Sequence, residues 1–280
     1  MSDARQRYLR IQAELGGPEL VLTTGGQAGG RAGGQADGED ADAVGAPGHE
    51  FNASLTARPP AGPPARPRKD WRVDLPPIPG PGLEIISPAP RLDASPMDFE
   101  TLDAVAAAIG ECQGCFLCRG RTRTVPGEGN PSARLMCVGE GPGETEDQTG
   151  RPFVGRAGEL LTGILASIDL PREQVYIANV VKCRPPQNRK PLPDEMAACL
   201  PFLRRQIQLV QPRVLLALGA TAAEGLLGVR QSLGQLRGKV HRWDGIPLVI
   251  TYHPAALLRN PNWKKFTWDD VRIARQLLDA

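Results

Sequence analysis

Cys112 and Cys115 are separated by two residues, while Cys183 and Cys199 lie far along the chain, one on each side of a proline-rich stretch. Thiols at the first spacing suit the gripping of a metal. Four thiolates drawn from two distant segments can close a tetrahedral zinc site or a 4Fe–4S cluster, and spacing alone does not choose between them. Cys118 extends the pair to Cys-x2-Cys-x2-Cys, so it is either an alternative ligand or a free thiol. Cys137 stands inside an apolar run and reads as a small buried hydrophobe.

A second concentration of chemistry follows that run. From Gly139 the chain reads Gly-Glu-Gly-Pro-Gly-Glu-Thr-Glu-Asp, and then Gly150-Arg-Pro-Phe-Val-Gly155. Three glycines in five positions let the backbone approach a ligand closely. The acids Glu140, Glu144, Glu146 and Asp147 are unlike a phosphate cradle, and no Gly-Lys-Ser/Thr follows, which excludes a P-loop. Of the three histidines, only His253 runs from an apolar stretch into a proline-fixed turn.

The elements that must position these residues alternate. Apolar runs at 135–138, 175–181, 214–218 and 248–252 read as four strands. Helical patterns fall at 99–109, 157–168, 220–227 and 267–278, with a further helix capped by Asp194 and kinked or restarted at Pro201. Strands alternating with helices imply a mostly parallel sheet covered on both faces. The glycine-rich stretch from Gly139, the segment from Asn179 and His253 each begin at or near a strand's carboxyl end, where open α/β sheets bind ligands.

The front of the chain differs. Residues 25–48 are rich in Gly, Ala and Asp, and residues 58–96 in proline, so neither can bury enough surface to offset its ordering entropy. Residues 1–97 are expected to be a disordered region, with a short amphipathic helix over 2–16 that suits a protein partner, and Trp71 and the 83–86 patch as contact points. The folded domain is expected over 98–280. That part holds 23 Lys+Arg against 19 Asp+Glu, or +4, which leaves −2 for residues 1–97 and agrees with the total of +2. The balance is a mild hint of a polyanionic partner. No apolar run reaches membrane-spanning length and no signal peptide is evident, so a cytoplasmic monomer with no membrane association is expected.

Three segments resemble the motifs of the iron–sulfur, family 4 uracil-DNA glycosylases: Gly139–Gly158, Asn179-Val-Val-Lys-Cys183-Arg-Pro-Pro-Gln-Asn188, and His253-Pro-Ala-Ala-Leu-Leu-Arg259. The resemblance extends from about Cys112 to Leu278. It implies a three-layer αβα sandwich with a central parallel sheet, here of four strands, and a 4Fe–4S cluster on Cys112, Cys115, Cys183 and Cys199. It implies release of uracil from DNA, with the base flipped out and read in a pocket. Phe153 would stack on the ring, Asn179 would read the pyrimidine edge, and His253 would donate to O2 of the departing anion. Glu140, Gly141 and Pro142 would line the same site. Glu140 is left three roles: positioning the water, offsetting charge on the sugar, or organising the loop. Glu146, Asn188, Leu258 and Arg259 are candidates for pocket or DNA contacts, with Leu258 as a wedge and Arg259 on a phosphate. Ala255 and Ala256 stand where the family often has a serine and an aromatic residue. Two rivals use the same residues otherwise. A silent nucleic-acid-binding module of this fold gives no reason for both Asn179 and His253. A zinc or cluster redox protein gives none for Phe153 and His253.

Overall fold

The computed structural model describes residues 70–85 and 98–280. The expected helix over 2–16 and most of the expected linker lie outside the described residues. In chain order the elements are β1 (Pro81–Ile85), α1 (Leu102–Glu111), β2 (Glu128–Gly129), β3 (Leu135–Gly139), α2 (Glu144–Thr149), α3 (Arg156–Ala166), β4 (Tyr176–Asn179) and α4 (Pro193–Val210). They continue as β5 (Val214–Leu218), α5 (Ala220–Leu227), α6 (Leu233–Leu236), β6 (Val240–Trp243), β7 (Ile246–Thr251), α7 (Pro254–Arg259) and α8 (Lys264–Asp279). Among the described residues, no helix is long and apolar enough to cross a membrane.

The strands form one sheet in the order β1-β6-β7-β5-β3-β4-β2. The middle four, β7-β5-β3-β4, are mutually parallel and are the strands legible as apolar runs. Seven strands replace the expected four. The additions are edge strands: β2 is antiparallel to β4, β6 is antiparallel to β7, and β1 is parallel to β6. Each is short or broken by Gly, Pro, His or Arg, so none carries the apolar periodicity of a buried strand.

Both faces of the parallel core are buried, as its continuous apolar strands require. Along β3, Met136 and Val138 pack with α1, α4 and α5 on one face. Leu135 and Cys137 pack with α3 and α8 on the other. Cys137 is wholly enclosed, and burial pushes its thiol up to about 12, so it is inert packing. Helix α4 runs through Pro201 without the expected break. It buries Met196 and Cys199 before the proline and Phe202, Leu203 and Ile207 after it, which offsets the missing hydrogen bond. Its first turn starts at Pro193 rather than under an Asp194 cap, and the Glu195 carboxylate accepts the Leu192 N–H at 2.7 Å.

Residues 70–85 correct the expected boundary at 98. Trp71 is buried against the α3–α8 face and donates from Nε1 to Asp169 Oδ2 at 2.8 Å. Arg272 Nη1 donates to the carbonyls of Val73 and Asp74 at 3.0 and 2.9 Å, and Gln276 Nε2 donates to that of Pro76 at 3.0 Å. β1 then pairs with β6, and the Leu83 N–H donates to His241 Nδ1 at 2.9 Å. A strap rich in proline and glycine is thus ordered by partners distant in sequence. Replacing Trp71 by Ala should cost about 3 kcal/mol. Thermal unfolding of the full chain should show a lower midpoint, and an unchanged one would mean that the strap contributes nothing to stability.

Candidate active site

The carboxyl ends of β3, β4 and β7 surround one cavity of about 380 Å³. Its walls include Glu140, Phe153, Asn179, Asn188, His253 and Arg259, together with Gly141 and Pro142. The three residues expected to meet around a single ring therefore share a cavity.

Phe153 reaches it from the long loop after β3. Its backbone lies in the left-handed region, at φ 52°, which is rare for a non-glycine residue. The structure holds that conformation from several sides. Arg172 donates to the carbonyls of Pro152 and Phe153 at 2.6 and 2.9 Å, and Gly158 gives the loop room, since a Cβ there would fall 1.9 Å from the Phe153 oxygen. The ring is buried, so solvent does not account for its place in a polar loop. It lies tilted against His253, with centroids 5.5 Å apart.

Asn179 is the last residue of β4 and is buried. Its Oδ1 has no hydrogen-bond donor among the described residues. A buried carbonyl oxygen left this way costs about 1–3 kcal/mol, a cost that a ligand donor removes. Gly139 brings the wall together, because a Cβ at that position would fall 2.4 Å from Asn179 Oδ1 and 2.5 Å from Phe153 Cζ.

His253 follows β7 and caps α7, its Nδ1 accepting the Ala255 N–H at 3.2 Å. That bond assigns the proton of the neutral ring to Nε2. Burial, reinforced by the nearby Arg259 cation, pushes its pKa down to about 4. At neutral pH the cavity therefore has an uncharged donor at this wall.

The carboxylates divide by their partners. Glu146 Oε1 accepts the N–H groups of Val154 and Gly155, each at 3.0 Å, and Oε2 accepts that of Gly143 at 3.1 Å. It borders the cavity, yet its charge is committed to folding the loop. Asp147 accepts the Thr122 N–H through both oxygens and is buried, and exposed Glu144 lies 3.8 Å from Arg184. Among the described residues, no side chain or N–H is found bonded to the Glu140 carboxylate, which leaves it the free acid of the cavity.

At the rim, Arg259 lines the cavity and Leu258 is exposed, whereas Leu257 is buried. Asn188 Oδ1 accepts from Arg184 Nε at 2.8 Å, so it supports the proline loop. Arg189 also lines the cavity, held by two bonds to Glu195 at 2.7 and 2.8 Å. In the sequence, Arg189-Lys190, like Lys264-Lys265, reads either as a phosphate contact or as a solvated charge pair, not as part of a pocket wall. The signal available was Glu195 six residues on, in the first turn of a helix. Lys264 and Lys265 are exposed on α8 and do not line the cavity.

Cys112, Cys115, Cys118, Cys183 and Cys199 ring a second, smaller cavity that Lys182 also lines. Four of their sulfurs each accept an N–H. The Gly114 N–H donates to Cys112 at 3.4 Å, that of Leu117 to Cys115, Arg121 Nη1 to Cys183 at 3.3 Å, and the Lys182 N–H to Cys199 at 3.3 Å. Cys118 has no such donor among the described residues. N–H bonds to sulfur stabilise thiolates bound to iron, so the donor set fits a cluster. Among the described residues, no three His, Cys, Asp or Glu side chains converge on a point that would hold one ion. A polynuclear cluster spaces its thiolates more widely than a single ion does. Arg121 was missed by sequence reading. It also donates to the carbonyls of Cys112 and Gly110, at 2.8 and 2.9 Å, and so ties the thiol segment to Cys183.

Residues 126–274 match the Uracil DNA glycosylase superfamily. The chain is 47% identical over 183 residues to a type-4 uracil-DNA glycosylase of Thermotoga maritima, covering 64% of this chain and 95% of that one. It is 43% identical over 191 residues to one of Saccharolobus solfataricus, covering 65% and 88%. A DNA polymerase of Bacillus phage SP01 is 28% identical over 159 residues, 56% of this chain but only 17% of the polymerase. The chain, with its mostly parallel α/β sheet, belongs to the uracil-DNA glycosylase superfamily. Within that superfamily, the chain belongs to the type-4 uracil-DNA glycosylases.

Two outcomes follow from this geometry. Gly139→Ala should displace Phe153 and Asn179 together and reduce activity by about 100-fold, and crystallography of the variant would reveal both shifts. Nitrogen NMR should find His253 neutral with its proton on Nε2 from pH 8 to about 5. Protonation should come only near 4, because the folded value lies below the ordinary one of 6.5. The same shift makes the unfolded chain bind more protons between those values, so stability should fall as pH falls through that window.

Proposed function

We propose that the protein is a DNA-repair glycosylase that hydrolyses the N-glycosidic bond of deoxyuridine in DNA, releasing uracil and leaving an abasic site. The observation that carries this reading is the buried, donor-less Asn179 Oδ1 in a cavity shared with Phe153 and His253. Uracil presents N3–H to such an oxygen and O4 to the adjoining amide N–H group. Cytosine has an acceptor and a donor at those positions, so an Asn179 held in place rejects it. The base must leave the duplex to reach this cavity, with Phe153 against its face. Exposed Leu258 would fill the gap in the duplex, and Arg259 would hold a phosphate at the rim.

The bond breaks with negative charge moving onto the base. His253 Nε2–H, fixed by the cap on Nδ1, would donate to O2 of that anion. A preorganised donor of this kind is worth about 3 kcal/mol of barrier. Glu140 would act from the sugar side, where its charge orients the attacking water and offsets positive charge on the ring. Hydrolysis rather than backbone cleavage is supported by Lys182, whose ammonium is occupied by Asn179 O and Gln206 Oε1 and does not line the cavity.

We assign a 4Fe–4S cluster to Cys112, Cys115, Cys183 and Cys199, the four thiols with N–H donors, and leave Cys118 free. Bound there, it supplies a crosslink between the Cys112 segment and the proline loop. Thiols kept available for iron suit the reducing cytoplasm, where we expect the protein to act.

Purified protein should release free uracil from a uracil-containing oligonucleotide. His253→Ala and Asn179→Ala should each lower kcat/KM by about 100- to 1,000-fold, and wild-type protein that releases no uracil would overturn the assignment. Iron analysis should find full occupancy in Cys118→Ser and loss in Cys199→Ser. The reverse pattern would reassign the ligands.

A further inference from the structure

Lys182 is the largest of the fully enclosed side chains, at 1% exposure. Lysine is rarely buried without a charged partner, yet its ammonium meets two neutral acceptors. Nζ donates to the main-chain oxygen of Asn179 at 2.8 Å and to Gln206 Oε1 at 2.6 Å. Gln206 is itself held, its Nε2 donating to the Pro126 carbonyl at 2.8 Å. The backbone of Lys182 faces the other way: its N–H donates to Cys199 Sγ, and its carbonyl accepts the Val125 N–H at 2.8 Å. One residue therefore grips the end of β4 through its side chain and the thiol ring through its main chain.

We infer that Lys182 is a positioning residue for Asn179, and that through it the thiol-lined segment sets how sharply the cavity selects uracil. The inference rests on the glycosylase reading above. Asn179 is pressed against Gly139 on one side, and its carbonyl is drawn toward Lys182 on the other. Gly139 thus limits the side-chain amide, while Lys182 anchors the main chain that carries it toward the base. Without the ammonium, the carbonyl loses the partner that pins this residue, and the amide can rotate away from the pyrimidine edge.

Lys182→Met keeps the length of the stem and deletes the charge. Iron content, visible absorbance and kcat/KM for the uracil-containing oligonucleotide should be measured beside wild type. Amide NMR should follow the Asn179 side chain as free uracil is added. The expected result is wild-type iron content with kcat/KM lowered by about 10- to 100-fold, mostly in kcat. The Asn179 signals should move with uracil in wild type and respond weakly in the variant. Gln206→Met removes one of the two acceptors, and it decides the matter if Lys182→Met takes up no iron. An iron-loaded variant with wild-type kcat/KM and an undiminished Asn179 response overturns the inference, even if its melting point has dropped. Failure of wild type to release uracil would instead sink the glycosylase reading itself.

Discussion

The site depends on how closely two segments, the end of β4 and the loop bearing Phe153, crowd the α-carbon of Gly139. The position admits no side chain, and in the space a methyl group would occupy lie the Asn179 oxygen and the edge of the Phe153 ring. β3 and β4 are parallel neighbours with Gly139 opposite Asn179, so sheet register brings the amide there. The loop after β3 must then double back to bring the aromatic ring to the same place. That return requires a left-handed residue at Phe153 and a second side-chain-free position at Gly158. A backbone conformation costing about 1–3 kcal/mol persists only where its surroundings over-determine it. Here Arg172 and the committed carboxylate of Glu146 do so, which explains why a loop beside an anion-releasing site carries so many charges.

The same logic orders the other end of the cavity. Gly219, at φ 95°, follows β5 beside the Cβ of His253, so a side chain there would crowd the root of that residue as well as strain the turn. Behind it, Tyr252 stacks on Trp263 at 4.7 Å, and Arg237 lies over Tyr252 while pairing with buried Asp270. These residues touch nothing in the cavity. They give the turn a rigid backing, which a donor needs if it is not to reorganise as charge develops.

Much of this was legible in the sequence because the relevant signals are local. Four apolar runs announced the parallel core, and three motifs at their ends announced the cavity. The strap over 70–85 was not legible, since proline and polar residues signal disorder until Arg272, Gln276 and β6 are known to be waiting some 160 to 200 residues away. The loop's carboxylates were legible as a group but not as individuals. Glu140 and Glu146 have the same chemistry in sequence, and only folding reveals that three backbone N–H groups claim one and leave the other free. Lys182 and Gln206 lie 24 residues apart, on a loop and on a helix, and no spacing rule connects them.

A further distinction concerns charge at the moment of bond cleavage. A cationic imidazole would stabilise the departing anion more strongly, but it would have to remain charged in a partly buried position near Arg259. Burial and that neighbour both oppose this, as the downward shift of His253 indicates. A neutral donor avoids the desolvation cost of a buried cation, and the hydrogen bond it makes strengthens as charge accumulates on O2. In the glycosylase reading proposed above, Glu140 would supply the complementary sign on the sugar side, where the charge that builds is positive. On that reading the arrangement would keep one fixed dipole at the base and one free charge at the sugar, an asymmetry that follows the direction in which electrons move as the bond breaks.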